Sequence, residues 1–484
     1  MIHTEIKPIL IFLISLFMAM FLLPKFAKIA KKINLMDQPN HRKVHENPKP
    51  LVGGIGFVIA ACFAAALLIP AAGLRGFFAG LSLMLIIGFF DDLKELGHKQ
   101  KFLGQIIAAA LLIYFSHVRL VSFGDILGLG EITIPGYWLS IIVSIFCILG
   151  VINSTNLIDG LDGLAGGISF IAFLILAAHA SFADNQTFVL LNLAFAGALL
   201  GFLHFNWHPA KLFMGDAGSL CLGFTLAFMA IAMTQGDNPC MPPIAALLIL
   251  AVPISDTLVV MTKRLIHGSN PFHPDKRHLH HIFMRYGFSG ENTVIIIIGL
   301  STILGCTSIL GPLYDLSERT LFLLFAGYFI LYFISSFFIL ELVRYRLRFQ
   351  RKRDSCGAFS KTVKFSLRLL DTINIIRKDA RHDVSIPIQC CITEEREHFK
   401  GTIVNISKSG FMASIPELTT LRSMFLADIS FSTQTPATQE QVLFTTEHLW
   451  ISTLNKKHIH GFQFSNLTSQ QKSILNDYID GLKS

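Results

Sequence analysis

Between Asn153 and Gly167 the chain reads Asn-Ser-Thr-Asn-Leu-Ile-Asp-Gly-Leu-Asp-Gly-Leu-Ala-Gly-Gly, which sets two carboxylates and two carboxamides in a glycine-rich stretch between two strongly apolar runs. Ionisable groups beside hydrocarbon are costly unless they line a polar cavity, so the cluster predicts a hydrophilic site let into an apolar body. Asp91-Asp92 and Asp216, the latter in Phe213-Met-Gly-Asp-Ala-Gly-Ser219, also stand at the edges of apolar runs. A further connection, Asn270 to His281, packs His273, His278, His280 and His281 beside Lys276 and Arg277. Hard oxygen ligands with cations and imidazoles nearby suit a magnesium-bound diphosphate better than a softer metal. Zinc is the competing use of the histidines, but no cysteine lies near them and their spacing matches no familiar zinc pattern. If Asp159 to Asp162 is helical, the i,i+3 spacing puts both carboxylates on one face while Gly160 and Gly163 allow close backbone approach. The alternative is that the pair opens the next helix as N-terminal acids.

The elements that position these groups follow from composition. With 52% hydrophobic and 15% charged residues over 484 positions, and a mean hydropathy of +0.57, the chain has far more apolar side chain than a soluble core needs. It reads as an all-α membrane protein. Runs long enough to cross ~30 Å of hydrocarbon begin near Pro8, Leu51, Gly73, Gln105, Trp138, Leu164, Gln186, Leu212, Met241, Val294 and Leu321, about eleven spans. The first run lacks a basic N-terminal flank and a small-residue cleavage site and is followed by a basic loop, so it is expected to stay as a helix. Basic residues from Lys25 to Arg285 fall on alternate loops, while the opposite loops keep only Lys7, Arg75, Arg119 and Arg319. The positive-inside rule makes the basic face cytoplasmic. Every polar constellation then falls on that face, and an odd number of spans leaves the C-terminus there too. The eight cysteines contain no Cys-x-x-Cys, so neither a disulfide framework nor a zinc ribbon is indicated.

Composition changes abruptly at Arg344, where six Arg and Lys residues precede Ser355. A stop-transfer flank explains the cluster, with an anionic-lipid site as the alternative. Residues 1–343 therefore form the membrane body, 344–375 a basic juxtamembrane linker, and 376–484 a soluble module. The module shows β-type runs at Val384–Ile392, Gly401–Ile406, Met424–Phe431, Val442–Ser452 and His460–Phe464, and a closing segment, Ser469 to Leu482, that suits a short helix.

From Phe26 to Gly287 the body resembles the WecA branch of the polyprenyl-phosphate N-acetylhexosamine-1-phosphate transferases, a glycosyltransferase family related to MraY. The resemblance rests on Asp37-Gln-Pro-Asn-His-Arg-Lys43, Pro50-Leu-Val-Gly-Gly-Ile55, Asp91-Asp92, Asn153 to Gly167, Phe213 to Ser219, and the segment ending in His278-Leu-His-His281. It implies transfer of an amino-sugar 1-phosphate, usually from UDP-N-acetylglucosamine, to undecaprenyl phosphate with release of UMP. Asn156 and Asp216 would hold Mg2+, with Mn2+ as the alternative. Asp91 and Asp92 would handle the lipid phosphate or its proton, and Asp159 and Asp162 would complete the acidic cavity. His278, His280 and His281 would contact the sugar nucleotide, with Asn153 and Lys211 also on the substrate. A phosphate monoester is already largely ionised near neutrality, so aligning two anions that repel each other should matter more than a general base. The product would feed cell-envelope polysaccharide synthesis at a bacterial inner membrane. Transfer of muramoyl-pentapeptide phosphate, a catalytically silent receptor, and a transporter are the competing readings. His278-Leu-His-His281 favours the WecA branch over the first. Acids at span ends on one face, rather than at mid-bilayer, argue against the last.

The soluble module opens with Arg377-Lys-Asp-Ala-Arg381 and later presents Asn405-Ile-Ser-Lys-Ser-Gly410. Arginine forks bind phosphate oxygens and stack on purines, and a glycine turn lets backbone amides approach a ligand. These residues resemble the two signatures of PilZ domains, with Gly461-Phe-Gln-Phe464 similar to their late strand. The resemblance implies a six-stranded β-barrel that binds cyclic di-GMP through Arg377, Arg381, Asn405, Ser407 and Gly410. No nucleic-acid polymer is expected as a partner, and a homodimer is left open.

Overall fold

The computed structural model describes residues 2–37, 48–70, 73–266, 278–285, 288–353, 382–392, 398–407, 410–415, 424–432, 439–454 and 457–464, with a few single positions beyond. Two compact units divide the chain, Met1–Leu369 and Leu370–Ser484.

The first unit is a helical bundle. Its elements are α1 (Ile2–Lys32), α2 (Gly53–Leu68), α3 (Arg75–Lys94), α4 (His98–Ser116), α5 (Tyr137–Ile158), α6 (Leu164–Phe182), α7 (Gln186–Asn206), α8 (Gly215–Ala232), α9 (Pro243–Ile249), α10 (Ala251–Ile266), α11 (Leu279–Arg285), α12 (Gly290–Leu313) and α13 (Glu318–Arg353), with a two-residue ribbon of β1 (Met36–Asp37) and β2 (Lys49–Pro50). Each of the eleven apolar runs falls on one of these helices or on the α9–α10 pair. The count that length and apolarity support is smaller. Among the described residues, eight helices pass, or nine if α9 and α10, bent by 76° at their junction, form one broken span. The sequence total is larger because α2 has only 16 residues and α4 opens on His98, Lys99 and Lys101, which dilute its apolar character.

Helix α8 is the centre of the bundle, packed against α2, α3 and α5. Its Phe224 and Phe228 stack on Phe77 of α3 with ring centroids 6.2 and 4.6 Å apart, and all three rings are fully buried. Offset aromatic stacking of this kind adds to the packing that joins helices in lipid. Because α8 packs against several neighbours at once, its first turn is where the ends of several other helices meet.

The second unit is built from β3 (His382–Ile392), β4 (His398–Ser407), β5 (Gly410–Ser414), β6 (Met424–Ser432), β7 (Gln439–Leu454) and β8 (Lys457–Phe464). They close in the order β3-β4-β5-β8-β7-β6, with β6 returning to β3 through pairs such as Ile388 with Ile429. Five of the six strands lie on runs legible in the sequence. The five-residue β5 does not. Ile403 and Ile406 are both fully buried although three residues apart, which a regular strand would set on opposite faces. A register shift between Ile403 and Asn405 restores the phase. Phe411, Phe462 and Phe464 complete the interior, the first two with centroids 4.9 Å apart. Most of Ser469 to Leu482 lies outside the described residues.

Candidate active site

The last turn of α3 carries Asp91 and Asp92, and the two carboxylates do different things. Asp92 accepts the backbone N–H groups of Asp216 (2.7 Å) and Ala217 (3.0 Å), both in the first turn of α8. A helix start leaves such donors without intrahelical partners, and an anion there meets the positive end of the helix. Gly215 makes the approach feasible. Its φ is +73°, and a Cβ at that position would lie 2.5 Å from Asp92 Oδ2, so the glycine of Phe-Met-Gly-Asp is required by both backbone and space. Asp91 is buried, accepts the N–H of Leu96 at 2.8 Å and pairs with the ammonium of Lys101 on α4. The same ammonium lies 3.0 Å from Asp216 Oδ2. One lysine thus bridges two acids from helices far apart in sequence. Asp216 is the more open of the two, its side chain 32% exposed against 1% for Asp91.

Helix α5 brings the carboxamides. Asn156 Oδ1 accepts a hydrogen bond from Ser219 Oγ at 2.7 Å. Ser219 lies three residues beyond Asp216 on α8, so Asn156 stands beside that acid. Asn153 donates to Gln105 Oε1 of α4 (2.9 Å) and to its own helix at Leu149.

The stretch from Asp159 to Asp162 is not helical, which corrects the i,i+3 expectation. α5 ends at Ile158 and α6 begins at Leu164 with Gly163, at φ +80°, as its cap. Neither acid opens α6, so the alternative fails as well. The glycines release the chain from helical geometry. Asp162 instead clamps the α7–α8 connection, its Oδ2 accepting Ala210 N–H at 2.9 Å and lying 3.3 Å from His208 Nδ1. Asp159 is only partly exposed. Burial, then the charges of Asp216 and Asp162, push its carboxyl up to about 7.

The histidines reach the same place. His280 is buried, and a Cβ on Gly160 would lie 2.5 Å from its Nε2, so α11 rests on the Asp159–Gly163 loop. Its Nδ1 is buried with no hydrogen-bond partner among the described residues. Burial, then neighbouring His281, hold this imidazole down to about 3, so it is neutral. His278 lies parallel to His280 with centroids 5.9 Å apart, and His281 is 4.2 Å from His280. Lys211 is exposed, its backbone N–H bonded to Phe205 O at 2.8 Å. His273 and most of Asp37 to Lys43 lie outside the described residues.

Among the described residues no three His, Cys, Asp or Glu side chains form a ready cation cage. Mg2+ does not require one, since it is held by one or two carboxylates together with substrate phosphates and water. Asp216 with Asn156 beside it fits that use. Lys101, Gln105, Ser219 and His208 were not singled out from the sequence. Each is a polar residue in a helix or loop end whose partner is set only by tertiary packing.

In the β unit, Asn405 and Ser407 lie on β4 and Gly410 opens β5, with Ser407 paired to Gly410. Asn405 Oδ1 is buried with no partner among the described residues. Arg377 and Arg381 lie outside the described residues.

Apolar helices whose ends bring acids, a lysine and imidazoles together define a multi-pass membrane protein with a candidate reaction site, and the chain also carries a separate β unit. Comparison with known proteins makes the class specific. Glycosyl transferase family 4 matches residues 74–234, and the PilZ domain matches residues 375–481. An undecaprenyl-phosphate alpha-N-acetylglucosaminyl 1-phosphate transferase of Escherichia coli O157:H7 is 32% identical over 331 residues, covering 66% of this chain and 89% of that protein. A probable undecaprenyl-phosphate N-acetylglucosaminyl 1-phosphate transferase of Bacillus subtilis is 31% identical over 63% of this chain and 85% of its own length. A solved PilZ domain with cyclic di-GMP from Escherichia coli is 14% identical, covers 22% of this chain and 91% of that one, and has a TM-score of 0.19. The chain belongs to glycosyl transferase family 4 and carries a PilZ domain.

Proposed function

We propose that the chain transfers N-acetylglucosamine 1-phosphate, or a related N-acetylhexosamine 1-phosphate, from its UDP-sugar to undecaprenyl phosphate. A lipid phosphate oxygen attacks the phosphorus that bears the sugar. The bond from that phosphorus to the bridging oxygen breaks, and UMP leaves with the oxygen. The observation that carries this reading is the Lys101 bridge between Asp91 and Asp216, beside an α8 N-terminus fixed by Asp92. It sets a cation and two acids at one point, as bringing two anionic substrates together requires.

Mg2+, or Mn2+ in its place, would neutralise charge on the departing diphosphate oxygens when held by Asp216 and Asn156. The protein's own residues do the rest. Asp92, with both oxygens engaged by α8, orients Asp216 rather than moving a proton. Asp91 holds Lys101 so that the ammonium faces the anions. Asp159 lends further negative charge when ionised, Asp162 shapes the loop beneath the histidines, and Asn153, Lys211, His278, His280 and His281 receive the sugar nucleotide. The eleven apolar helical units are read as crossings, with the site, the 344–375 linker and the 376–484 module on the cytoplasmic side of a bacterial inner membrane. The PilZ domain is read as a cyclic di-GMP receptor that regulates transfer, with Arg377, Arg381, Asn405, Ser407 and Gly410 on the ligand.

Membranes containing the chain, given radiolabelled UDP-N-acetylglucosamine and undecaprenyl phosphate, should form a labelled lipid and release UMP. Asp216→Ala should lower turnover by roughly 100-fold or more, as expected when charge on a transferring phosphoryl group loses its stabiliser. Near-normal turnover in that variant would overturn the metal assignment, and an unlabelled lipid fraction with the unaltered chain would overturn the reaction.

A further inference from the structure

Among the described residues, Asp256 on α10 is the one buried acid near the histidines that the transfer step does not use. It is 1% exposed and accepts three hydrogen bonds. Oδ1 takes the backbone N–H of Leu279 at 2.7 Å and the hydroxyl of Tyr332, on α13, at 2.6 Å. Oδ2 lies 2.9 Å from His278 Nδ1. The first two donors fix the carboxylate in place. The imidazole nitrogen facing Oδ2 must then carry a proton, because a carboxylate can only accept.

We propose that Asp256 is a positioning residue that locks His278 in the tautomer with the proton on Nδ1, leaving Nε2 as a hydrogen-bond acceptor for an O–H or N–H group of the sugar nucleotide. The assignment rests on the transferase reading for the identity of the ligand, and on geometry alone for the tautomer. Three features support it. The Leu279 N–H belongs to the first residue of α11, so the carboxylate that orients the ring also fixes the start of the helix carrying His280 and His281. His278 is itself buried, so its ring cannot exchange partners with solvent. The parallel stacking with His280 holds the ring plane. A site built to accept from a substrate hydroxyl or amide rejects a wrongly protonated ring strongly, since two donors then face each other in a dry pocket.

Asp256→Asn separates this role from simple support. The amide is nearly isosteric. Its oxygen can still accept from Leu279 and Tyr332, while its NH2 now faces His278 Nδ1 and drives the proton to Nε2. The test uses the full-length chain in nanodiscs with UDP-N-acetylglucosamine, Mg2+ and undecaprenyl phosphate. The expected result is a KM for the sugar nucleotide raised by roughly 10- to 100-fold, the size of one mispaired buried hydrogen bond, with a smaller change in kcat. Once His278→Ala has been made, adding Asp256→Asn should change little more. Losses that multiply, or an unchanged KM in Asp256→Asn, would overturn the proposal. Spectra of the 15N-histidine-labelled wild type, with the His278 signal assigned by its loss in His278→Ala, should show protonated Nδ1 and bare Nε2. The reverse pattern overturns the proposal even if Asp256→Asn does not fold. If the wild type fails to turn over, the transferase reading falls, while the spectrum still decides the tautomer.

Discussion

Asp159 faces two other acids from a poorly solvated loop, and without a cation its carboxyl is pushed up to about 7. An acid raised in this way holds its proton more tightly folded than unfolded. The stability it confers is full below about 3.9, the ordinary aspartate value, and is lost as the pH rises through about 7. A divalent cation bound beside Asp159 would take the proton's place, so its binding would release a proton and strengthen as pH rises. The Mg2+ concentration for half-maximal transfer should therefore fall between about pH 6 and pH 8, and Asp159→Asn should flatten that dependence. Equal slopes in the two proteins would remove Asp159 from the cation's surroundings. Its neighbour Gly160 offers a steric test. A methyl there meets His280 Nε2 at 2.5 Å, so Gly160→Ala should displace α11 and raise the sugar-nucleotide KM by about tenfold, equivalent to ~1.4 kcal/mol. An unchanged KM would show that α11 does not need its seat on the loop.

Helices meet at this site through one turn of α8, and that turn depends on a residue from another helix. Asp92→Ala removes the acceptor for two helix-terminal N–H groups, a loss of roughly 1–3 kcal/mol. Thermal unfolding in detergent should show a lowered midpoint together with weak turnover. A midpoint equal to that of the wild type would mean that Asp92 acts chemically rather than as a clamp. The same turn shows what the sequence could and could not convey. Asp91, Asp92, Asp159, Asp162 and Asp216 stood out because acids at the ends of apolar runs are rare without a use. Their division of labour did not, because it depends on which helix end faces which. Lys101 read as one cation among several in a basic loop until α4 placed it between Asp91 and Asp216. Asp256 and Tyr332 lay inside apolar stretches, where an isolated acid or phenol has no partner visible along the chain. The Asp159–Asp162 pair looked helical by spacing, and the flanking glycines decided otherwise. Among the strands, alternation revealed five and missed the short β5, whose pairing with β4 and β8 supplies what five residues cannot.

Across the whole molecule, α13 runs without a break from Glu318 to Arg353 and precedes the PilZ domain in the sequence. It is also tied to α10, by Tyr332 on Asp256 and by Lys263 Nζ on Ser336 O at 2.6 Å, so the helix leaving the body is hydrogen-bonded to the element that orients His278. A ligand shifts an equilibrium only by its difference in affinity for the two states. Coupling between two binding sites is reciprocal, typically 5- to 150-fold in each direction. If cyclic di-GMP acts through α13 by changing the affinity for UDP-N-acetylglucosamine, the sugar nucleotide must change the affinity for cyclic di-GMP by the same factor. Both can be measured by calorimetry on the full-length chain with Mg2+ and no lipid acceptor, which prevents turnover. The two ratios should agree, and both should collapse to one when a flexible Gly-Ser insertion follows Arg353, although each ligand still binds alone. Arg381→Ala should remove the cyclic di-GMP isotherm itself. Ratios of one in the unaltered chain would dispose of binding coupling, and ratios that survive the insertion would move the coupling off α13.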